Sequence, residues 1–205
     1  MGVDLAALVD PAHTVVVTQE CQVGVLGAAS AFPQLADAAR STGMLGACGR
    51  LLAGARAAGI DVVHCVAARR TDGRGSNHNA RLFAVAAKAD GRLTPGTEAV
   101  EVCPELGPQP SDVTLTRLHG LGPMGNTDLD VVCRNLGATT IVGVGVSVNI
   151  GMTDFAFDAV NAGYQFVLPR DAVTGVPTDY ADAVIDNTLS LVATVTTVDD
   201  VLACW

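Results

Sequence analysis

The sequence predicts a single α/β domain spanning residues 1–205, with a parallel β-sheet covered by helices on both faces in a Rossmann-like three-layer sandwich. Apolar segments of strand length alternate along the chain with segments of helical periodicity, a pattern typical of parallel sheets. Thr140–Val146 (TIVGVGV) is apolar and β-branched with only glycines between, which indicates a strand buried on both faces. With 205 residues the chain fits one domain, since domains usually comprise about 100–200 residues.

Three elements are predicted in the first third of the chain. His13–Gln19 (HTVVVTQ) is expected to form the first strand because its centre is a run of β-branched apolar residues. Asp61–Val66 (DVVHCV) has the same character and is predicted to be the second strand. Between them, the apolar periodicity of Pro33–Ala58 predicts a long helical region, with a break near Gly43.

The middle of the chain is expected to be less regular. A short helix is predicted at Phe83–Ala89, and Leu93–Gln109 is interpreted as a meandering connection because it contains prolines and glycines. Val113–Thr116 is predicted to be the third strand. Asp128–Leu136 should then form a helix that the hydroxyl of Thr127 caps at its N-terminus.

The second half of the chain contains the predicted central strand, Thr140–Val146, which passes through a short polar turn into a helix. That helix should begin near Met152 and end at Gly163, where glycine is a suitable C-cap. A further strand, helix and strand complete the prediction, at Tyr164–Leu168, Tyr180–Leu191 and Ala193–Thr197. In open α/β sheets ligands bind outside the carboxyl ends of the strands, so the turn after the central strand is the predicted site.

Composition and charge exclude several classes of protein. The net charge is −9 and no Lys/Arg cluster is present, which argues against a nucleic-acid partner. No apolar run reaches about 18 residues and no leader-like N-terminus is seen, so we expect a cytoplasmic protein without membrane association. The cysteines are scattered and favour buried free thiols over a disulfide framework or a zinc site: Cys21, Cys48, Cys65, Cys103, Cys133 and Cys204.

No metal or cofactor is expected. Loop histidines His78 and His119 have no second ligand at metal-binding spacing, and His64 lies inside a strand, where a hydrogen-bonded core histidine is the better interpretation. The Gly143-x-Gly145 pair lacks the third glycine of the dinucleotide-binding fingerprint, and it lies on the fourth predicted strand. We therefore predict a small-molecule substrate without a nicotinamide cofactor.

Polar residues follow three strands whose carboxyl ends should meet. Glu20 ends the first strand, Arg117 ends the third, and Ser147 and Asn149 follow the central strand. Glu20 could be a functional carboxylate or could merely pair with backbone N–H groups at the edge of the sheet. Arg117 could bind a substrate carboxylate bidentately or form a surface ion pair.

The loop after the second strand is rich in arginine. Its four arginines, Arg69, Arg70, Arg74 and Arg81, could collect an anionic substrate, although each one individually is more often just solvated. Arg69, Arg70 and the loop histidine His119 are the substrate-binding candidates. The residue types alone do not decide between these interpretations. We therefore carry all three forward as candidate substrate-binding residues.

Three stretches resemble the isochorismatase-like hydrolases, the superfamily of nicotinamidases, carbamoylsarcosine amidases and isochorismatases. They are VVVTQECQ, LTRLHGLGPMGNTDLD and IVGVGVSVNIGMTDFAFDAVNAGYQFVLPRDA. The resemblance implies an isochorismatase-like fold and a homo-oligomer. It places the family acid at Glu20, the family lysine at Arg117 and the nucleophilic cysteine at Gly151, and it adds Gln22 of the acid-x-Gln motif to the substrate-binding candidates.

Glycine at 151 cannot attack a carbonyl, so the acyl-enzyme mechanism of the amidases is not available at this position. The true isochorismatases also resemble this pattern with glycine there, which implies hydrolysis of a vinyl ether by general acid catalysis, with Glu20 as the acid. The alternative is a catalytically silent member that keeps the fold for ligand binding or assembly. A displaced nucleophile, at Cys21, Cys65 or Ser147, is the third and least favoured possibility.

Overall fold

The computed structural model describes residues 3–88 and 93–205, and its described part confirms the predicted α/β fold. All paired strands are parallel, in the order β3-β2-β1-β4-β5-β7, with the short β6 beside β4. The strands are β1 (Thr14–Gln19), β2 (Asp61–Ala67), β3 (Val113–Arg117), β4 (Thr140–Val146), β5 (Gln165–Pro169), β6 (Val173–Thr174) and β7 (Thr194–Thr196).

The helices of the described chain agree with the prediction in the long, periodic segments and differ in the short ones. They are α1 (Leu5–Leu8), α2 (Val23–Leu26), α3 (Pro33–Thr42), α4 (Met44–Ala57), α5 (Arg81–Ala86), α6 (Leu129–Asn135), α7 (Thr153–Asn161), α8 (Thr178–Asn187) and α9 (Val198–Leu202). The sequence analysis missed α1, α2 and α9, because four or five residues show no clear period. Ala89, the last residue of a predicted helix, lies outside the described residues.

The predicted helical region Pro33–Ala58 is two helices. Gly43 separates α3 from α4 in a left-handed conformation, with φ of 71°, which glycine adopts without the steric cost that a Cβ brings. The break therefore falls where the sequence placed it, and its cause is the single glycine at the end of α3.

Two apolar cores, one on each face of the sheet, give the three layers. Helices α2, α3, α4 and α9 cover one face, and β1 contributes Val16 to the core on that side. Helices α6, α7 and α8 cover the other, where the alternating residues Val15 and Val17 of the same strand are buried. Among the described residues, no helix is long and apolar enough to cross a membrane.

The central strand β4 is buried along its whole length, as its sequence predicts. A Cβ at Gly143 would overlap the ring of Phe166 on β5, so the strand needs a glycine there. The same ring packs edge-on against Phe155 of α7, with ring centroids 4.9 Å apart. Glycine in the strand therefore makes room for the aromatic pair that holds α7 against the sheet.

A buried polar network ties α4 to β1, β2 and the start of β3. His64 is completely buried, and its Nε2 donates to Asp112 Oδ2 at 3.2 Å, while Thr18 Oγ1 donates to its Nδ1 at 2.9 Å. A carboxylate can only accept, which fixes this tautomer. Arg56 binds both oxygens of Asp112, at 3.1 and 2.7 Å. His64 is thus the hydrogen-bonded core histidine that the sequence analysis favoured.

This network makes stability depend on pH. Burial lowers the pKa of His64 below its usual value despite the Asp112 carboxylate, so the unfolded chain binds a proton more readily than the folded one. We expect the free energy of unfolding to fall as pH decreases from about 7 to 5, by up to about 1.4 kcal/mol per pH unit. Urea unfolding should show a flatter dependence for His64→Gln, whereas His78→Gln, at an exposed position, should match the wild type.

Candidate active site

A cavity of about 510 Å³ lies at the carboxyl ends of β1, β3 and β4, where the sequence predicts the site. The structure brings seven of the nine predicted residues to its wall: Glu20, Arg69, Arg117, His119, Ser147, Asn149 and Gly151. They come from four separate stretches of the chain. The parallel arrangement of the strands is therefore what assembles them.

Glu20 and Arg117 form an ion pair in this cavity. Arg117 Nη2 donates to Glu20 Oε1 and also to the carbonyl oxygen of Leu121, at 3.1 Å. The Arg117 side chain is 6% exposed, and its Nε and Nη1 are buried with no acceptor among the described residues. Unpaired buried N–H groups are costly, so this guanidinium is poised for a further acceptor that a ligand could supply.

Glu20 has an unusual backbone conformation. Its φ is 52°, in the left-handed region that residues with a Cβ rarely occupy, and its N–H donates to the carbonyl of Cys65 at 2.9 Å. Gln19 and Cys21 on either side of it are completely or almost completely buried, whereas Glu20 is partly exposed to the cavity. The turn at the end of β1 thus directs the carboxylate towards the cavity while the strand stays packed.

The end of β4 and the turn after it also line the cavity. Gly145 has φ of 122° and lies against the backbone of Gln19, where a Cβ would overlap the carbonyl oxygen. The Val146–Ser147 peptide is cis, and a single π-helical turn over Val148–Met152 precedes α7. Gly151 lies in this turn and presents its backbone to the cavity.

The structure places Gln22 and Arg70 outside the cavity wall, contrary to the prediction that they bind substrate. Gln22 is completely buried, and its amide donates to the carbonyls of Ala67 and Ala99 and accepts from the N–H of Ala67. Arg70 is exposed and binds Asp72. The amide of Gln22 therefore joins the ends of β1 and β2, and Arg70 forms an ion pair at the surface.

Sequence reasoning missed the apolar wall of the cavity. It includes Val25, Phe32, Leu35, Leu82, Phe83 and Leu93. Three polar residues, Gln34, Ser76 and Asn77, were also missed. Large apolar residues in loops and short helices were the available signal, because such residues are normally buried or bind a ligand.

The buried thiols are poor candidates for a displaced nucleophile. Hydrogen bonding to Cys48 and burial raise the pKa of Cys21 well above its usual value, and burial raises the pKa of Cys65 to about 12. The thiolate is the reactive form of cysteine, and both shifts disfavour it. Neither residue lines the main cavity.

Comparison with known proteins assigns the chain to a family and agrees with the fold. Residues 14–200 match the isochorismatase domain family, and the chain belongs to the isochorismatase family. It is 39% identical over 74 residues, 36% of its length, to the isochorismatase family protein YwoC of Bacillus subtilis. The chain spans about half or less of the curated relatives it matches, from 39% to 51% of their lengths.

Two solved structures resemble the whole fold. An isochorismatase family protein from Burkholderia thailandensis has 26% identity and a TM-score of 0.75, over 94% of this chain and 95% of that one. A cysteine hydrolase from Pseudomonas syringae pv. phaseolicola has 24% identity and a TM-score of 0.81, over 96% and 94% of the two chains. The predicted isochorismatase-like fold is therefore confirmed.

The contacts of Gln22 predict a structural effect of its replacement. Gln22→Leu removes three hydrogen bonds and leaves the N–H of Ala67 unpaired, so we expect the free energy of unfolding to fall by about 2–4 kcal/mol. Urea denaturation measures this loss. Gln165→Leu, at an exposed position, should change it by no more than about 0.5 kcal/mol. An unchanged stability of Gln22→Leu would mean that the buried amide does not support the fold.

Proposed function

We propose that this isochorismatase-family chain hydrolyses a small anionic vinyl ether by general acid catalysis, without a covalent intermediate, and that isochorismate is the nearest candidate substrate. The observation that carries the proposal is a carboxylate, Glu20, paired with Arg117 in a cavity where the position of the family nucleophile is Gly151. These three residues are the proposed catalytic group.

The proposed reaction needs no nucleophilic side chain. Glu20, in its protonated form, would deliver a proton to the terminal carbon of the enol ether, which leaves a positive charge shared by the ether carbon and its oxygen. Water then adds to that carbon and loses a proton to the Glu20 carboxylate so formed, and the resulting hemiketal breaks into a ketone and an alcohol. A general acid of this kind typically contributes about 10²–10⁴-fold to the rate.

The charge of the wall supports an anionic substrate. Arg69 and Arg117 line the cavity, and Glu20 is the acidic residue among the described wall residues. Within the described chain, Arg69 has no carboxylate within ion-pair distance, while Arg117 keeps two N–H groups unpaired. A substrate carboxylate would satisfy either guanidinium with a charge-assisted hydrogen bond.

The remaining wall contains both polar and apolar residues. The polar ones include His119, Ser147 and Asn149, and Asn149 Oδ1 is buried without a donor among the described residues. The apolar ones include Phe32 and Phe83. A compact substrate with a hydroxyl, a carboxylate and an apolar ring face fits this lining. Homo-oligomerisation stays part of the proposal, and light scattering of the purified chain tests it.

A second candidate function is ligand binding without catalysis. The observation that favours it is that Arg117 already binds the Glu20 carboxylate directly, beside a Gly151 that offers no attacking group. Such a protein would bind isochorismate saturably, as seen in a rise of the melting temperature with ligand concentration, without releasing pyruvate.

Replacement of the proposed acid tests the catalytic role. Purified protein should release pyruvate from isochorismate, and Glu20→Gln should lower kcat/KM by at least about 100-fold because the amide cannot donate the proton. A coupled pyruvate assay with an enzyme-free blank measures the rate, and circular dichroism checks that the variant is folded. Equal activity of the two proteins would remove Glu20 from the mechanism, and no release by the wild type would favour the binding function.

Two neighbouring arginines provide a matched test of substrate binding. Arg69→Met should raise KM for isochorismate by about 10-fold or more, since a hydrogen bond to a charged group contributes about 1.5–3 kcal/mol. Arg70→Met removes the same charge outside the cavity, where Arg70 binds Asp72, and should leave KM unchanged. Equal effects of the two changes would mean that the arginines act only through the general electrostatic field.

A further inference from the structure

The space for a side chain at position 151 is already occupied. A Cβ built on Gly151 would lie 3.0 Å from Gln19 Nε2, 3.1 Å from the carbonyl oxygen of Leu121 and 3.4 Å from that of Val146. The first two distances are shorter than ordinary van der Waals contacts, so even a methyl group would have to displace its neighbours. Gly151 lines the cavity, but the direction that a side chain would take is crowded.

Gln19 is the side chain that crowds it. It follows Val15 and Val17 along β1 on the face that α7 covers, and it is completely buried. Its partner in the β1–β4 register is Gly145, where a Cβ would overlap the backbone of Gln19. The position of Gln19 therefore depends on two glycines, Gly145 beside it and Gly151 ahead of it.

The amide of Gln19 forms a hydrogen bond through its nitrogen but, among the described residues, none through its oxygen. Its Nε2 donates to the carbonyl of Leu121 at 3.3 Å, the same oxygen that accepts from Arg117. Its Oε1 is buried without a donor among the described residues. An amide that is half satisfied in a core is unfavourable for the fold, whereas an apolar residue would satisfy packing there without that penalty.

We infer that Gln19 and Gly151 are a matched pair that determines which nucleophile this site can use. The Gln19 amide and the Leu121 carbonyl crowd a Cβ at position 151, so a nucleophilic residue there requires the amide to shift. This inference rests on the proposed function, because water is the attacking group when position 151 has no nucleophilic side chain. It assigns Gln19 a specificity-determining role, although Gln19 does not line the cavity.

A double-substitution cycle on thermal stability tests the pair without any substrate. Gly151→Ala adds only the Cβ, and we expect it to lower the melting temperature by about 2–6 °C, since overpacking outweighs the gain from removing glycine flexibility. In the Gln19→Val background, which removes the amide, the same change should be neutral or raise the melting temperature. Gly151→Cys should show the same dependence on residue 19.

Two controls separate the pair from general effects. Gly46→Ala in α4, where a Cβ meets no atom within 4 Å, should raise the melting temperature by about 2–4 °C in both backgrounds. Thr18→Val, next to Gln19 but on the opposite face of β1, should not relieve Gly151→Ala. Equal losses for Gly151→Ala with and without Gln19 would overturn the inference, whether or not isochorismate is hydrolysed. Relief by Thr18→Val would overturn it as well.

Discussion

The close contact between the ends of β1 and β4 is the constraint on which the site depends. Both strands are buried on both faces, and their register places Gln19 directly beside Gly145. Because Gly145 has no side chain, the two backbones approach closely at the edge where the chains must turn away from the sheet. The turn that holds Glu20 and the turn that holds Gly151 both start from this contact. The distance between the proposed acid and the empty nucleophile position is thus set by packing of the core.

Two of the arginine–carboxylate pairs in the described chain are largely buried, and they differ in how completely their polar groups are hydrogen-bonded. In the first, Arg56, Asp112 and His64 bond to one another in the core, and no nitrogen or oxygen of these three side chains is buried without a partner. In the second, Arg117 binds Glu20 yet keeps two buried N–H groups unpaired. Satisfied networks stabilise a fold, whereas unsatisfied ones at a cavity are available to a ligand. This contrast distinguishes the two groups more clearly than their residue types do.

The fold could be predicted well from the sequence because its helices and strands have periodic patterns of apolar residues. Strands β1, β2 and β4 were found within one residue of their ends, since runs of β-branched residues between polar turns have few other interpretations. The site was predicted less well. Arg69 and Arg70 are adjacent and chemically identical, but only the first lines the cavity, and no local pattern records which way a loop residue points. Gln22 was assigned to substrate because a motif marks it, whereas its hydrogen bonds show it supporting the backbone.

The left-handed backbone of Glu20 has a consequence for why this residue is present. At a φ of 52° glycine is free of steric penalty and asparagine is well tolerated, whereas glutamate is held there at a cost of roughly 1–2 kcal/mol. Replacement of Glu20 by glycine would remove that backbone cost, but it would also leave the buried Arg117 guanidinium without its carboxylate partner. The Glu20 carboxylate is therefore held at the cavity wall, beside Arg117, in a backbone conformation that glutamate disfavours.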